Sequence, residues 1–404
     1  MIALAALAAF LLAGRAAQAP AVPPTVPHGA APAAQPAVHV DVDRVVAEAV
    51  EWLIAHQNAD GSWGSHHSPR PIEVLASIPG SQDAFRIATT ALCVIALQDA
   101  HVGGERATRA ADRALDHLLA HYDVKRMSGL EHYNVWSFGY ALQCFGERLA
   151  FAPEDARAGA MRAASARLVE KLGQYQTLDG GWGYLSLNAV PTFQPSFTSM
   201  SFTTGTILVG LERAQRAGVA VPEPLLARAI DHIERSRLPD GAFLYGEYLK
   251  YRPRAEINED KGSACRTPLC QYALELCGRP QTLEDYATGL ENLLVRHAQW
   301  QRIALRRPIP HESAYSISGY FYLYGHAYAA YVLPKLSAER QRALWPALVE
   351  AVMVCRQPDG SFWDYPLYSY HKPYGTAFAL IALARVPAAL RSVSVPAASG
   401  RMRG

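Results

Sequence analysis

One short pattern returns four times along this chain at nearly constant spacing, and it restricts the fold more than any other feature. It reads Gln57-Asn58-Ala59-Asp60-Gly61-Ser62-Trp63-Gly64 and Gln176-Thr177-Leu178-Asp179-Gly180-Gly181-Trp182-Gly183, then Arg237-Leu238-Pro239-Asp240-Gly241-Ala242-Phe243 and Gln357-Pro358-Asp359-Gly360-Ser361-Phe362-Trp363. The aspartates at 60, 179, 240 and 359 are separated by two, one and two units of about sixty residues. Two further helix ends, His121-Tyr122-Asp123 and His297-Ala298-Gln299, stand in register without the turn, so six units fill the chain. Asp-Gly after a helix places glycine where a left-handed backbone is needed, and the next aromatic can fold back on the helix just left. These aspartates therefore read as joints rather than catalytic acids.

Each unit carries two helical patterns. The first is amphipathic: Val45–His56, Ala107–Tyr122, Asp155–Tyr175, Pro224–Ser236, Leu283–His297 and Glu339–Arg356. The second is almost uncharged all round: Arg86–Leu97, Tyr133–Phe145, Ser196–Leu211, Ser263–Leu276, Tyr315–Leu333 and His371–Leu383. A helix apolar on every side has to be covered on every side. Six half-solvated helices around six buried ones satisfy both patterns, which predicts an all-α fold, a single α6/α6 toroid of six outer-inner hairpins. With 50% hydrophobic and 18% charged residues the chain has ample material for such a core and is not disordered as a whole.

The unit Leu53-x3-Gln57-x3-Gly61-x-Trp63, repeated as Leu172-x3-Gln176-x3-Gly180-x-Trp182, resembles the QW motif of the squalene and hopene cyclases. The chain is thereby similar to the terpenoid cyclase and protein prenyltransferase α/α toroids over residues 41 to 386. That resemblance implies an acidic Asp-x-Asp-Asp motif for cyclase chemistry, and the nearest run here, Asp41-Val42-Asp43-Arg44, ends in a cation. For a prenyltransferase it implies zinc held by Asp-x-Cys and a His. His371 matches the last ligand, but Tyr315-Ser316-Ile317-Ser318 stands where Asp-x-Cys belongs, and one imidazole with hydroxyls is not a zinc site. The Gly-Cys-Gly-Glu-Gln of thioester toroids is absent as well. No cofactor and no metal are expected.

Residues 2–13 form an apolar run, and Ala17-Gln18-Ala19 supplies a signal-peptidase pattern. The expected organisation is a signal peptide over 1–19, a Pro/Ala-rich disordered leader over 20–40, the toroid over 41–390 and a disordered tail over 391–404, in an exported protein, periplasmic or secreted. No segment is long enough for a stable membrane span. Cys93, Cys144, Cys265, Cys270, Cys277 and Cys355 form no CxxC pair and read as buried thiols.

With 38 Lys+Arg against 36 Asp+Glu and no basic stripe, nucleic acid is not an expected partner, and no protein partner is signalled. The expected partner is a small molecule, isoprenoid-like or sugar-like. Aromatics on the inner helices, Tyr133, Trp136, Tyr140, Phe197, Tyr315, Tyr322 and Tyr374 with His326, predict an aromatic-walled chamber for it. On the fifth inner helix Tyr315, Tyr322 and His326 share one face and Tyr320, Tyr324 and Tyr331 another, and only one face can line the chamber. At its mouth Asp83, Arg86, Asp260, Arg266 and His371 open inner helices. Either they form salt pairs, Asp83 with Arg86 and Asp260 with Arg266, or the cations receive an acidic ligand. Three readings compete: an isoprenoid-type protein, a polysaccharide lyase or hydrolase using groups such as Glu312, Asp364 and His326, and a non-catalytic binding or scaffold protein.

Overall fold

Among the described residues, twelve longer helices alternate between an outer and an inner position. A computed structural model describes residues 37–65, 81–124, 126, 129–189, 192–299, 302, 305, 322–364 and 371–396. The outer helices are α1 (Val42–Ala55), α3 (Gly104–His121), α5 (Ala158–Tyr175), α7 (Glu223–Ser236), α9 (Leu283–Glu291) and α11 (Ala338–Met353). The inner ones are α2 (Ser81–Ala100), α4 (Asn134–Phe151), α6 (Ser201–Arg216), α8 (Thr267–Leu276), α10 (Tyr322–Val332) and α12 (His371–Ala384). Each inner helix packs on the next, and α12 returns onto α2 to close the ring. In α4 every residue from Ser137 to Gly146 is buried, as the uncharged pattern requires. The ring is tight at α8 and α10, where a Cβ on Gly325 would stand 2.6 Å from the Cys265 backbone. No described helix is long and apolar enough to cross a membrane.

The four turns repeat one hydrogen-bond scheme. Trp63 Nε1 donates to Leu53 O at 2.8 Å and Trp182 Nε1 to Leu172 O at 2.9 Å, so each indole folds back on its own outer helix. The aromatic residue's backbone N–H donates to a hydroxyl of the following inner segment: Trp63 to Thr90, Trp182 to Thr204, Phe243 to Ser263 and Phe362 to Thr376, at 2.9–3.1 Å. Gln57 Nε2 and Gln176 Nε2 each reach a carbonyl of the next outer helix or its start, Ala110 O at 2.7 Å and Leu225 O at 3.0 Å. Gly180 has φ +94°, and a Cβ there would lie 2.4 Å from Arg228 O, so only glycine lets this turn rest on α7. The last turn docks on the first helix, where Arg356 pairs with Glu48.

The ends differ from expectation. Strand β1 (Ala37–Asp41) pairs antiparallel with β5 (Ser392–Pro396), Val38 opposite Val395 and Val40 opposite Val393, so the boundaries at 40/41 and 390/391 fall inside ordered structure. Alternate valines supply a face that packs inward: Val40, Val393 and Val395 are buried. Asp41 N-caps α1 by accepting from Arg44 N at 3.1 Å, and Asp43 pairs with Arg391. A second small sheet joins β2 (Leu130–His132), β3 (Leu185–Ala189) and β4 (Thr192–Gln194). All six cysteines are free thiols, with Cys277 half-buried and the others buried.

Candidate functional site

The C-terminal end of the inner ring is sealed by side chains from all six units. Glu147 on α4 accepts from Gln143 Nε2 at 2.9 Å and from Arg213 Nε at 3.4 Å. Arg213 on α6 donates to Tyr272 OH on α8 at 2.5 Å, and Tyr272 stacks on Tyr331 of α10 at 4.5 Å. Arg385, just past α12, lies over the Tyr331 ring at 3.8 Å and donates to Asp99 Oδ2 on α2 at 2.7 Å. Burial, with Asp99 nearby, raises the Glu147 pKa even though Gln143, Arg213 and Arg385 favour its charge. The turns and the 244–262 connection lie at the other end of the ring.

At that end aromatic rings from separate segments meet. Tyr133 lies 4.8 Å from Phe85 and 5.2 Å from Tyr184; Trp136 lies 6.1 Å from Phe202 and 6.4 Å from Tyr324; Phe202 lies 5.1 Å from Tyr245. Tyr184 and Tyr245 sit two residues past the aromatics of their turns, so the repeated turn delivers them there. Tyr133, Trp136, Tyr184 and Tyr374 stay partly exposed. Tyr133 also has a left-handed backbone, φ 63°, which is a strained state for a residue with a Cβ. Below them Tyr140, Tyr324, Tyr328 and Phe378 form a buried floor, with Phe378 5.7 Å from Tyr324 and 6.2 Å from Tyr140. Burial, and then the neighbouring phenols, push the Tyr140 and Tyr324 hydroxyls well above their ordinary values, so the floor is uncharged. Thr206 Oγ1 meets Tyr324 OH at 2.9 Å.

The sequence-predicted residues divide accordingly. Tyr133, Trp136, Tyr140 and Tyr374 come together here. Tyr322 and His326 do not: Tyr322 OH donates to Ala351 O of outer helix α11 at 3.0 Å, and the His326 ring lies on Tyr322 at 4.2 Å. The opposite stripe, Tyr324 with Tyr328 one turn on, faces the interior instead. Phe197 is 86% exposed in the connection before α6, and Phe202 takes the wall position expected of it. Neither expected salt pair is the one made. Arg86 pairs with Asp60, and Arg266 donates to Phe243 O at 2.8 Å, Gly262 O at 2.7 Å and Ile257 O at 2.5 Å. Asp260 meets His297 Nε2 at 2.9 Å, and Asp83 is exposed. Both arginines are thus engaged in holding connections in place. Asp364 Oδ2 accepts from Leu323 N at 3.0 Å and so serves the start of α10. Tyr315, Glu312 and the side chain of His371 lie outside the described residues.

Two polar groups carried no sequence signal. Glu131 on β2 is buried, accepts from Tyr175 OH and from Asn134 Nδ2 at 3.2 Å, and is held above its ordinary pKa by burial. The second surrounds Asp179. Ser199 Oγ lies 2.7 Å from Asp179 Oδ2 and 2.5 Å from His232 Nε2, and Glu247 Oε2 lies 3.7 Å from the same nitrogen. His232 is fully buried, and burial lowers its pKa to about 4 against the pull of Asp179 and Glu247. Its partners come from three connections, which no local spacing reveals.

No curated protein matches the chain at a significant level. Residues 31–160 match the A-macroglobulin TED domain family. Among solved structures, a variant of the type II terpene cyclase MstE from Scytonema, in complex with geranylgeranyl dihydroxybenzoate, is similar with 15% identity and a TM-score of 0.51, over 86% of this chain and 97% of that one. The GH76A alpha-1,6-mannanase from Salegentibacter sp. HEL1_6 gives 10% identity and 0.52 over 85% and 99%. A possible GH105 family member from Klebsiella pneumoniae subsp. pneumoniae MGH 78578 gives 12% and 0.50 over 85% and 92%. Identities this low speak for the fold alone. The fold is a single α6/α6 toroid of six outer-inner hairpins.

Proposed function

We propose that the protein is a toroid of the terpenoid cyclase and prenyltransferase type whose mouth takes up a small molecule with an extended apolar face, isoprenoid-like in chemistry. The observation that carries this reading is the meeting of Tyr133, Trp136, Tyr184, Phe202 and Tyr245 around an uncharged, phenol-lined floor. Ring faces of this kind attract apolar chains and delocalised cations. An acidic ligand is disfavoured, because Arg86 and Arg266 are engaged by Asp60 and by backbone carbonyls. A glycan-cleaving reading needs carboxylates free to act on a sugar, whereas Glu131 accepts from Tyr175, Asn134 and Asn188. Export belongs to the same proposal and rests on the apolar start and Ala17-Gln18-Ala19.

Incubating purified protein with polyprenyl and oligosaccharide libraries, followed by native mass spectrometry, tests this. Retention or conversion of a polyprenyl compound is expected, with affinity at least about tenfold weaker in Trp136→Ala, a loss of roughly 1.4 kcal/mol. Retention of oligosaccharides alone supports the glycan reading, and retention of nothing supports a scaffold. The same spectra give the intact mass of the secreted chain, expected to begin at Pro20.

A further inference from the structure

The Asp179 turn departs from its counterparts in the charge it gathers. At Asp60 and Asp359 the carboxylate meets a cation four residues before the threonine that receives the turn: Arg86 before Thr90, and Lys372 Nζ, 2.9 Å from Asp359, before Thr376. Before Thr204 that position holds Met200, buried and uncharged. Acceptors collect instead. His232 of α7 aims Nε2 inward, Glu247 presents Oε2, and with an Asp179 oxygen these atoms all lie within 4.8 Å of one another.

The hydrogen bonds available leave the His232 ring one partner short. Ser199 has one hydroxyl proton, with Asp179 Oδ2 and His232 Nε2 both within reach. If it serves Asp179, the imidazole proton must sit on Nε2 and Nδ1 is a bare acceptor; if it serves Nε2, Asp179 Oδ2 loses its donor. His232 Nδ1 is buried and has no hydrogen-bond partner among the described residues. In each arrangement the buried Nδ1 is unserved, the ring nitrogen opposite the one that faces Ser199 and Glu247.

We propose that Asp179, His232 and Glu247, with Ser199 Oγ as a fourth donor, bind one divalent transition-metal ion of the zinc class. One imidazole with carboxylate oxygens is a donor set that zinc accepts, at bond lengths of about 2.0–2.2 Å, which puts tetrahedral ligand atoms about 3.4 Å apart. The 3.7 Å between His232 Nε2 and Glu247 Oε2 is already near that spacing, and Ser199 Oγ reaches it by moving outward by roughly 1 Å. Arg235, half-exposed and 3.2 Å from Glu247 Oε2, is the group that must yield. The ion would tie together the segments that carry Tyr184, Phe202 and Tyr245, while lying apart from the aromatic chamber.

The full chain, freed of metal by a chelator and desalted, receives zinc, manganese or calcium chloride in separate samples. Bound metal per chain is then counted by plasma mass spectrometry beside a thermal melt. One zinc per chain and a raised melting temperature are expected, with affinity at least about a hundredfold weaker in His232→Ala and in Glu247→Gln. His117→Ala, which alters the counterpart histidine of α3 whose Nδ1 lies 3.7 Å from Asp60 Oδ2, retains wild-type zinc binding. Glu247→Gln keeps the side chain's size and carries the test if His232→Ala does not fold. Folded wild type that holds no zinc, variants that both keep it, or binding of calcium alone overturns the proposal, whatever the chamber binds.

Discussion

Trp182→Ala is expected to remove about 4–5 kcal/mol of stability, read as the shift in a urea unfolding midpoint. The indole is fully buried at the joint between α5 and α6, and its Nε1 donates to Leu172 O at 2.9 Å. Truncation leaves a cavity inside the α5–α6 hairpin and strands a buried carbonyl, so the transfer and hydrogen-bond losses act together. Trp182→Phe should cost only about 1–2 kcal/mol, because the ring volume largely stays and mainly the Leu172 contact goes. The chain supports this difference itself, since Phe243 and Phe362 occupy the equivalent place in two other turns. An alanine variant as stable as the phenylalanine one would show that the indole is not the joint.

Arg385→Met should cost roughly 2–3 kcal/mol at neutral pH, below the value for a fully buried pair because 23% of the side chain still meets water. Methionine keeps the stem over Tyr331 but leaves Asp99 without its 2.7 Å donor and takes a favourable charge from Glu147. The pH dependence follows from Glu147, whose folded pKa lies above its unfolded 4.5. Between those values the folded chain binds more protons than the unfolded one, so its stability rises as pH falls. Part of the variant's loss should therefore be recovered on going from pH 7.5 toward 4.5, with the recovery complete below that value. Urea melts at both ends of that range measure it, and a loss that grows with acid would refute this account of the seal.

The ring itself was legible because its two signals are periodic: charge on one side of every other helix, and Asp-Gly-aromatic turns at a fixed interval. Other features rest on partners distant in sequence, and there the reading failed in particular ways. Arg86 and Arg266 stand at the starts of inner segments, but what neutralises them is Asp60 and three carbonyls from the 243–262 connection. Tyr322 and Tyr324 lie on a helix buried on every side, where nothing local tells inward from outward; the hydroxyl of one finds Ala351 and that of the other Thr206. The end strands did leave a trace, valine at every second position of Val38-His39-Val40 and of Val393-Ser394-Val395, too short to outweigh the low-complexity segments beside them. Glu131, Ser199 and Glu247 are single polar residues in connections and His232 a single one on α7, and only folding brings their neighbours to them.

The clasp formed by β1 and β5 has a mechanical consequence. Ala37 and Pro396, the outermost residues of the two strands, lie opposite each other, so tension applied at the two ends of the toroid loads the ladder one rung at a time. Such a seam peels rather than shears. Under pull the ring would unbutton at its overlap first, freeing Arg391 from Asp43 before the inner staves bear any strain.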